Sequence, residues 1–143
     1  MKRLAATVAN LLLIACGSGG SSGPPPAGPT VTEWRTFSGT TRANTPTSCG
    51  GDSHDFVAAE GAVAVTLVQS TGGVSMSVQI CAGGIDNNAC TINQGPIAVG
   101  QTRTGTRQGV AQQNLKLLPA NCGGNGPVPA GPVDYTATVT FQR

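Results

Sequence analysis

Residues 74–80, VSMSVQI, alternate apolar and polar side chains at every position. A second stretch, residues 133–141 with the sequence VDYTATVTF, alternates in the same way. A period of two residues puts the apolar side chains on one face of an extended chain, so each stretch predicts a β-strand with one buried face. From Thr32 onward no segment sustains the helical spacing of apolar residues. We therefore expect an all-β domain.

Shorter apolar runs predict further strands around these two. Residues 62–68 are apolar on both parities, which predicts a central strand covered on both sides. Residues 115–117 predict another strand, Phe37 and Phe56 mark two earlier ones, and residues 97–99 add a short one.

Turn-forming segments separate the predicted strands. They are rich in Gly, Asn, Ser and Pro, and they lie at residues 50–52, 70–73, 83–84, 87–88 and 119–132. Seven or eight short strands spread over about 110 residues predict a single antiparallel β-sandwich.

The amino terminus carries the features of an export signal. Lys2 and Arg3 precede residues 4–15, an apolar stretch that suits a signal peptide and is shorter than the ~20 residues needed to span a bilayer. It ends in LIAC at residues 13–16, which resembles the lipobox of bacterial lipoproteins. An ordinary secretory signal with an incidental cysteine is the alternative.

The lipobox resemblance implies a membrane anchor on Cys16. It implies cleavage after Ala15, diacylglycerol on the Cys16 thiol, and a fatty acid such as palmitate on the new amino group. Several acyl chains hold a protein far more firmly than one. We therefore expect a lipid-anchored protein of the bacterial cell envelope, most naturally at the outer membrane and facing the periplasm or the cell surface.

The chain divides into three predicted parts. Residues 1–15 are the signal peptide, and residues 16–31 combine the lipidated cysteine with a Gly/Ser/Pro-rich tether (GSGGSSGPPPAGPTV after Cys16). Residues 32–143 are the β-sandwich domain. The tether has too few apolar side chains to bury a core.

The charge balance argues against nucleic acid as a partner. The whole chain has eight Lys and Arg against six Asp and Glu, and Lys2 and Arg3 account for the excess. The part from Cys16 onward is therefore formally neutral. Binding to a phosphate backbone normally requires a positive field, so DNA and RNA are excluded as expected partners.

Four cysteines remain after Cys16, at positions 49, 81, 90 and 122. An even number in an exported domain predicts disulfide bonds, and four cysteines allow three pairings. We favour Cys81 with Cys90, since a Gly/Asn-rich loop after Cys81 can return the chain to face it, and Cys49 with Cys122. Zinc is not expected, because the spacing lacks the usual pairs of cysteines two residues apart.

The densest polar cluster is DSHD at residues 52–55, which holds the single histidine, His54. Neighbouring residues on a strand point to opposite faces, so these four side chains do not form a catalytic triad. No Gly-x-Ser-x-Gly elbow is present either. We interpret the cluster as a solvated loop and expect no enzymatic activity. An accessory hydrolase requires His54 to share a pocket with a Ser or Thr.

Calcium is the better functional interpretation of the acidic groups. Asp52, Asp55 and Asp86, together with the asparagines at 87–88, offer the hard oxygen ligands that calcium prefers. Asp and Asn are also common turn residues, and no EF-hand is present. A calcium-dependent ligand-binding or adhesion domain is therefore the alternative function.

Two other features bear on partners. Carbohydrate binding normally requires exposed aromatic rings, and of the five aromatic residues only Trp34 is a candidate for exposure, although core or edge packing is the commoner role. Arg103 and Arg107 lie in residues 100–109, which we expect to be a solvated loop, with a small basic hairpin tip as the alternative. A protein or glycan partner in the envelope fits these features best.

The order of the domain's motifs resembles a known family. HDFVAAEG at residues 54–61, AVAVTLVQS at 62–70, VSMSVQIC at 74–81 and PAGPVDYTATVTF at 129–141 are similar to bacterial pre-peptidase C-terminal domains. The resemblance covers residues 39–143. It implies a jelly-roll-like β-sandwich, related in shape to CUB domains, that acts as a non-catalytic module. The expected function is thus a membrane-anchored, non-enzymatic structural or interaction module.

Overall fold

The computed structural model describes residues 30–44, 49–83, 89–109, 111–122 and 131–143, and these ranges form nine β-strands. The strands are β1 (Thr32–Thr40), β2 (Gly50–Gly51), β3 (His54–Ala58), β4 (Gly61–Ser70), β5 (Met76–Ala82), β6 (Cys90–Ile97), β7 (Thr102–Arg107), β8 (Gln113–Asn121) and β9 (Asp134–Gln142). A 3-10 turn, Thr71–Gly73, follows β4. Within the described ranges, no helix has the length and apolar character needed to cross a membrane. The all-β prediction is confirmed.

The strands form two antiparallel sheets. The first has the order β1-β9-β4-β7. In the second, β2 and β3 pair with successive parts of β8, which is followed by β5 and β6. Because β2 and β3 share one position beside β8, the nine strands fill eight positions.

The strand partners are nested along the chain. The first strand pairs with the last, β2 and β3 pair with β8, β4 pairs with β7, and β5 pairs with β6. Successive nested pairs alternate between the first and the second sheet. A long hairpin folded over on itself in this way is a jelly roll, and the predicted jelly-roll-like sandwich is confirmed.

One core lies between the sheets and takes side chains from both. Every second residue of β9 is buried, as its alternating sequence predicts. The rings of Phe56 on β3 and Phe141 on β9 lie 5.0 Å apart across the sandwich. Burying one such side chain contributes roughly 1.5–3 kcal/mol. The largest fully buried side chains come from both sheets and are Phe141, Leu67, Met76, Ile80, Ile92, Ile97, Leu115, Leu117, Val63, Val65, Val78 and Val133.

The strand predicted at residues 62–68 is central but is covered on one side only. It is part of β4, which lies between β9 and β7. Val63, Val65 and Leu67 are buried, whereas Ala62 and Val68 are exposed. The expectation of two buried faces was wrong because no described element packs over the outer face of this sheet.

Two predictions near residue 100, one of a short strand and one of a loop, were also wrong. The strand expected at residues 97–99 is the end of a longer one, since β6 ends at Ile97 and Val99 lies in a turn. The loop expected at residues 100–109 contains β7, whose sequence TRTGTR has no apolar side chain to reveal it. At Gly105, β7 approaches β6 so closely that a Cβ atom would collide with the Thr91 carbonyl oxygen.

Both predicted disulfide bonds are present. Cys81 and Cys90 are cross-strand partners where β5 ends and β6 begins, and they are bonded to each other. The second bond joins Cys49, just before β2, to Cys122, just after β8. Because β2 and the end of β8 are paired, this bond fastens the edge of the second sheet.

Candidate functional site

The outer face of the first sheet is covered by hydroxyl side chains, and we call it the hydroxyl face. Its members are Thr32, Thr36, Ser38 and Thr40 on β1, Thr136, Thr138 and Thr140 on β9, Thr66 on β4, and Thr102, Thr104 and Thr106 on β7. Residues opposite each other in register share a face. One row of four threonines therefore crosses the whole sheet, through Thr36, Thr138, Thr66 and Thr102.

Cross-strand hydrogen bonds fix many of these hydroxyls. The oxygen–oxygen distances are 3.2 Å for Thr36 and Thr138, 3.0 Å for Ser38 and Thr136, and 2.7 Å for Thr66 and Thr102. A pair of hydroxyls uses one hydrogen between its members, which leaves one hydrogen and several lone pairs directed outward. The face therefore presents donors and acceptors together.

The hydroxyl face is almost free of charge. Among the outward-facing residues of its four fully described strands, Asp134 at the start of β9 is the single ionisable one. Asp134 Oδ1 accepts a hydrogen bond from Thr40 Oγ1 at 2.6 Å. Edge strands commonly carry exposed lysines and other charges. The two edge strands of this sheet, β1 and β7, carry none on the hydroxyl face.

The charged residues of β1 have the opposite parity and lie at the rim between the sheets. Glu33 pairs with Arg35 at 2.9 Å and with Arg143 at 3.2 Å. Hydrogen bonds from Arg35 and then from Arg143 lower the pKa of the Glu33 carboxyl. The Arg35 guanidinium also lies over the Phe141 ring, 5.7 Å from its centre. Inward-turned charges of this kind discourage an edge strand from pairing with another chain.

Arg107 is buried, contrary to the solvated loop expected around Arg103 and Arg107. It ends β7, where its Nη1 donates to the Gly109 carbonyl oxygen at 2.7 Å and its Nη2 donates to the Ala111 carbonyl oxygen. The planar guanidinium can hold two acceptors at once. Arg107 therefore fixes the chain as it leaves the first sheet.

Trp34 projects from the hydroxyl face with 70% of its surface exposed. It lies on β1 in a row with Thr140, Ala64 and Thr104. Trp34 is the one aromatic residue that the sequence analysis considered a candidate for exposure. The structure shows that its ring is exposed and not packed in the core. A large apolar ring thus stands among neutral hydroxyls.

A second feature is a polar cluster where the two sheets meet. Tyr135 on β9 donates a hydrogen bond from its hydroxyl to Asp52 Oδ2 at 2.7 Å. His54 Nε2 lies 2.5 Å from the same hydroxyl and 3.4 Å from Asp52 Oδ2. A phenol has a single hydrogen, so with that hydrogen on Asp52 the His54 Nε2 must be the donor to Tyr135.

The surroundings keep the Tyr135 hydroxyl protonated. Burial, and then its hydrogen bond to Asp52, raises the pKa of Tyr135 well above its ordinary value. Phe37 on β1 covers the cluster, with its ring centre 5.1 Å from that of His54. Gly39 leaves room for the contact between Asp52 and Tyr135. A Cβ atom at this position would collide with the Asp52 carboxylate and lie 2.9 Å from the Tyr135 hydroxyl.

The solvated loop expected at residues 52–55 is partly strand. His54 and Asp55 belong to β3, and the His54 side chain is only 23% exposed. Gly50 and Gly51, expected in a turn, form β2. The physical reason is pairing: both strands complete their hydrogen bonds on β8.

The contacts of His54 do not include a serine or threonine hydroxyl among the described residues. Its ring contacts are Tyr135, Asp52 and Phe37. A neighbouring groove of about 680 Å³ has Ser53 among its described lining residues but not His54. The pocket that a histidine-assisted hydrolase requires is therefore not formed by these side chains.

Of the acidic residues predicted as calcium ligands, the two that the structure describes contact different partners and not one another. Asp52 is held by Tyr135 and His54, whereas Asp55 Oδ1 pairs with Lys116 Nζ at 2.9 Å. Asp86 lies outside the described residues. In the part of the chain that is described, no group of three or more His, Cys, Asp or Glu side chains is placed to hold a metal ion. Calcium binding that involves Asp86 stays a prediction.

No protein-family model matches this chain, and no curated protein is similar enough in sequence to count as a match. Cys16 and its lipobox lie outside the described residues.

Proposed function

We propose that this chain is an exported bacterial lipoprotein, anchored through Cys16, whose jelly roll is a non-enzymatic binding module. The observation that carries the export is the cysteine pairing. All four cysteines after Cys16 are joined in two disulfides, and such bonds persist in oxidising compartments outside the cytoplasm. Cys16 is then the one cysteine left, at the end of an apolar signal-like segment.

The contacts of the polar cluster support a role other than catalysis. His54 Nε2 donates its hydrogen bond to a phenol, whereas a general base would accept the hydrogen bond of the aliphatic hydroxyl that it deprotonates. The raised pKa of Tyr135 also disfavours a phenolate nucleophile at neutral pH. In this proposal the cluster ties the two sheets together.

The hydroxyl face supports a binding role. Its residues combine outward donors and acceptors with almost no charge, and its four strands present them as a regular array. Neighbouring strands lie about 4.8 Å apart, so the face is roughly 14 Å across. In this proposal it contacts a component of the cell envelope.

Anchoring is tested by replacing the lipidated residue. The wild-type chain, expressed in a bacterium supplied with radiolabelled palmitate, is expected to carry the label and to sediment with membranes. Cys16→Ser should lose the label and should be removed from the membranes by an alkaline carbonate wash, while the matched substitution Ser18→Ala should keep the label and resist the wash. An unlabelled wild-type protein in the soluble fraction would overturn the anchoring.

The binding role is tested on the soluble Cys16→Ser chain, in which no lipid holds it to the membrane. Co-sedimentation with isolated cell envelopes is expected and should be lost on Thr66→Lys combined with Thr138→Lys, which puts two charges on the face. Gln113→Lys adds a charge at an exposed position on the other sheet and is the control. Equal sedimentation of all three proteins would exclude the hydroxyl face.

A further inference from the structure

We propose that the hydroxyl face binds an uncharged glycan, with the Trp34 ring stacking on a sugar ring; this rests on the proposed binding role of the face. Trp34 has 70% of its surface exposed, although burying a ring of this size is among the largest favourable terms available to a small domain. Its position on β1 turns the ring away from the core. Such an exposed ring gains most from a partner that covers it.

The neighbours of Trp34 favour a sugar as that partner. Thr140 lies directly opposite it on β9, and Thr32 and Thr36 lie two residues away on its own strand. Sugar rings have apolar C–H faces and hydroxyl rims that both donate and accept hydrogen bonds. An aromatic ring matches the faces, and threonine hydroxyls match the rims.

The placement of charge selects a neutral glycan rather than an acidic one. Anionic polymers are recognised by arginines and lysines, and the outward positions of the four described strands hold none. Arg35 and Arg143, the cations at the rim beside β1, are already paired with Glu33. An uncharged polymer is desolvated against this face without leaving an unpaired charge.

The shape of the face favours a polymer chain over a flat crystal surface. β1 and β9 pair over nine residues each, a length of about 27 Å, and every outward-facing pair along them contains at least one hydroxyl. Trp34 stands above this plane and would hold a rigid lattice such as ice away from the threonines. A flexible chain can pass over the ring and still reach the hydroxyls on both sides of it.

The test uses the full chain, purified in a detergent without a sugar headgroup. Affinity electrophoresis through gels containing xyloglucan, hydroxyethyl cellulose or alginate measures binding to two neutral polymers and one acidic polymer. We expect the neutral polymers to retard the wild type and alginate not to. Trp34→Ala should weaken the retardation about tenfold, which corresponds to about 1.4 kcal/mol. Trp34→Phe should keep most of it.

Two further variants separate a binding effect from a folding effect. Thr138→Val keeps the side-chain shape but removes a central hydroxyl, and it should weaken binding several-fold. Val99→Ala removes exposed apolar surface in the turn before β7, outside the residues of the hydroxyl face, and should change nothing. Circular dichroism checks that all variants retain the strand signal.

The outcomes distinguish this proposal from the proposed function. If neither neutral polymer retards the wild type, or if Trp34→Ala binds unchanged, the glycan proposal is overturned. If the lysine variants nevertheless lose envelope co-sedimentation, the binding role stands with another class of partner. Preference for alginate overturns the neutrality argument, and inhibition of ice recrystallisation that is lost in Thr138→Val would assign the face to ice instead.

Discussion

The Tyr135 hydroxyl donates a hydrogen bond to Asp52 Oδ2 at 2.7 Å, and this bond links the last strand of the first sheet to the segment between β2 and β3 of the second. Asp52 and Tyr135 are 83 residues apart in the chain. The bond therefore closes one end of the sandwich between elements that only the complete fold brings together. His54 adds a third group to the same contact.

Removing the phenol oxygen should loosen this end of the sandwich. Tyr135→Phe keeps the buried ring but removes a hydrogen bond to a carboxylate, so we expect the free energy of unfolding to fall by about 1.5–3 kcal/mol. Urea titration followed by circular dichroism measures the change. Thr104→Val, which removes an exposed hydroxyl, should change it by less than about 0.5 kcal/mol. A similar small change in Tyr135→Phe would contradict the role given to the cluster.

The raised pKa of Tyr135 predicts a loss of stability at alkaline pH. The unfolded chain releases the phenol proton near pH 10, its ordinary pKa, while the folded chain keeps it. Above that pH the unfolded state binds fewer protons, so the free energy of unfolding decreases as pH rises, by up to about 1.4 kcal/mol per pH unit. Tyr135→Phe should lack this component of the pH dependence.

The same shift can be observed directly, because Tyr135 is the single tyrosine of the chain. The ultraviolet absorbance of the phenolate then reports one group. The folded protein should show no transition near pH 10, and the protein in concentrated urea should show one. A normal transition in the folded state would refute the burial and the Asp52 contact as causes of the raised pKa.

Gly39 is expected to be essential for the packing of this cluster. An alanine Cβ would collide with the Asp52 carboxylate, so Gly39→Ala must displace Asp52 or Tyr135 and should cost about 1–3 kcal/mol. Gly95→Ala is the matched control, since a Cβ there meets nothing within 4 Å. Thermal unfolding compares the two variants. The phenolate transition should also move toward pH 10 in Gly39→Ala alone.

The fold could be predicted where apolar side chains alternate, and it was missed where they do not. Apolar residues alternate with polar ones in residues 74–80 and 133–141, and this alternation correctly predicted β5 and β9. β7 has the same extended geometry, but threonine, arginine and glycine fill both of its faces, so hydrophobicity gives no period to detect. Its pairing with β4 decides its structure, and pairing is not visible in a single segment.

The candidate site was harder to predict because it depends on register. Every second residue of TRTGTR and of TATVT is a threonine, which is visible in the sequence. That these threonines share one face with Thr36 follows only from the strand order β1-β9-β4-β7. His54 and Asp52 were recognised as a polar cluster from the sequence. Their partner Tyr135 is more than 80 residues away in the chain, so the sequence did not reveal the contact.

The two disulfides should contribute unequally to stability. The Cys49–Cys122 bond spans 73 residues and the Cys81–Cys90 bond spans 9. Loop-closure entropy in the unfolded chain then gives about 4.4 kcal/mol for the first and about 2.6 kcal/mol for the second at 25 °C. The double variants Cys49→Ala with Cys122→Ala and Cys81→Ala with Cys90→Ala test this by urea unfolding, with the first expected to be the less stable. The reverse order would show that packing around Cys81, which is fully buried, outweighs the entropy of the longer loop.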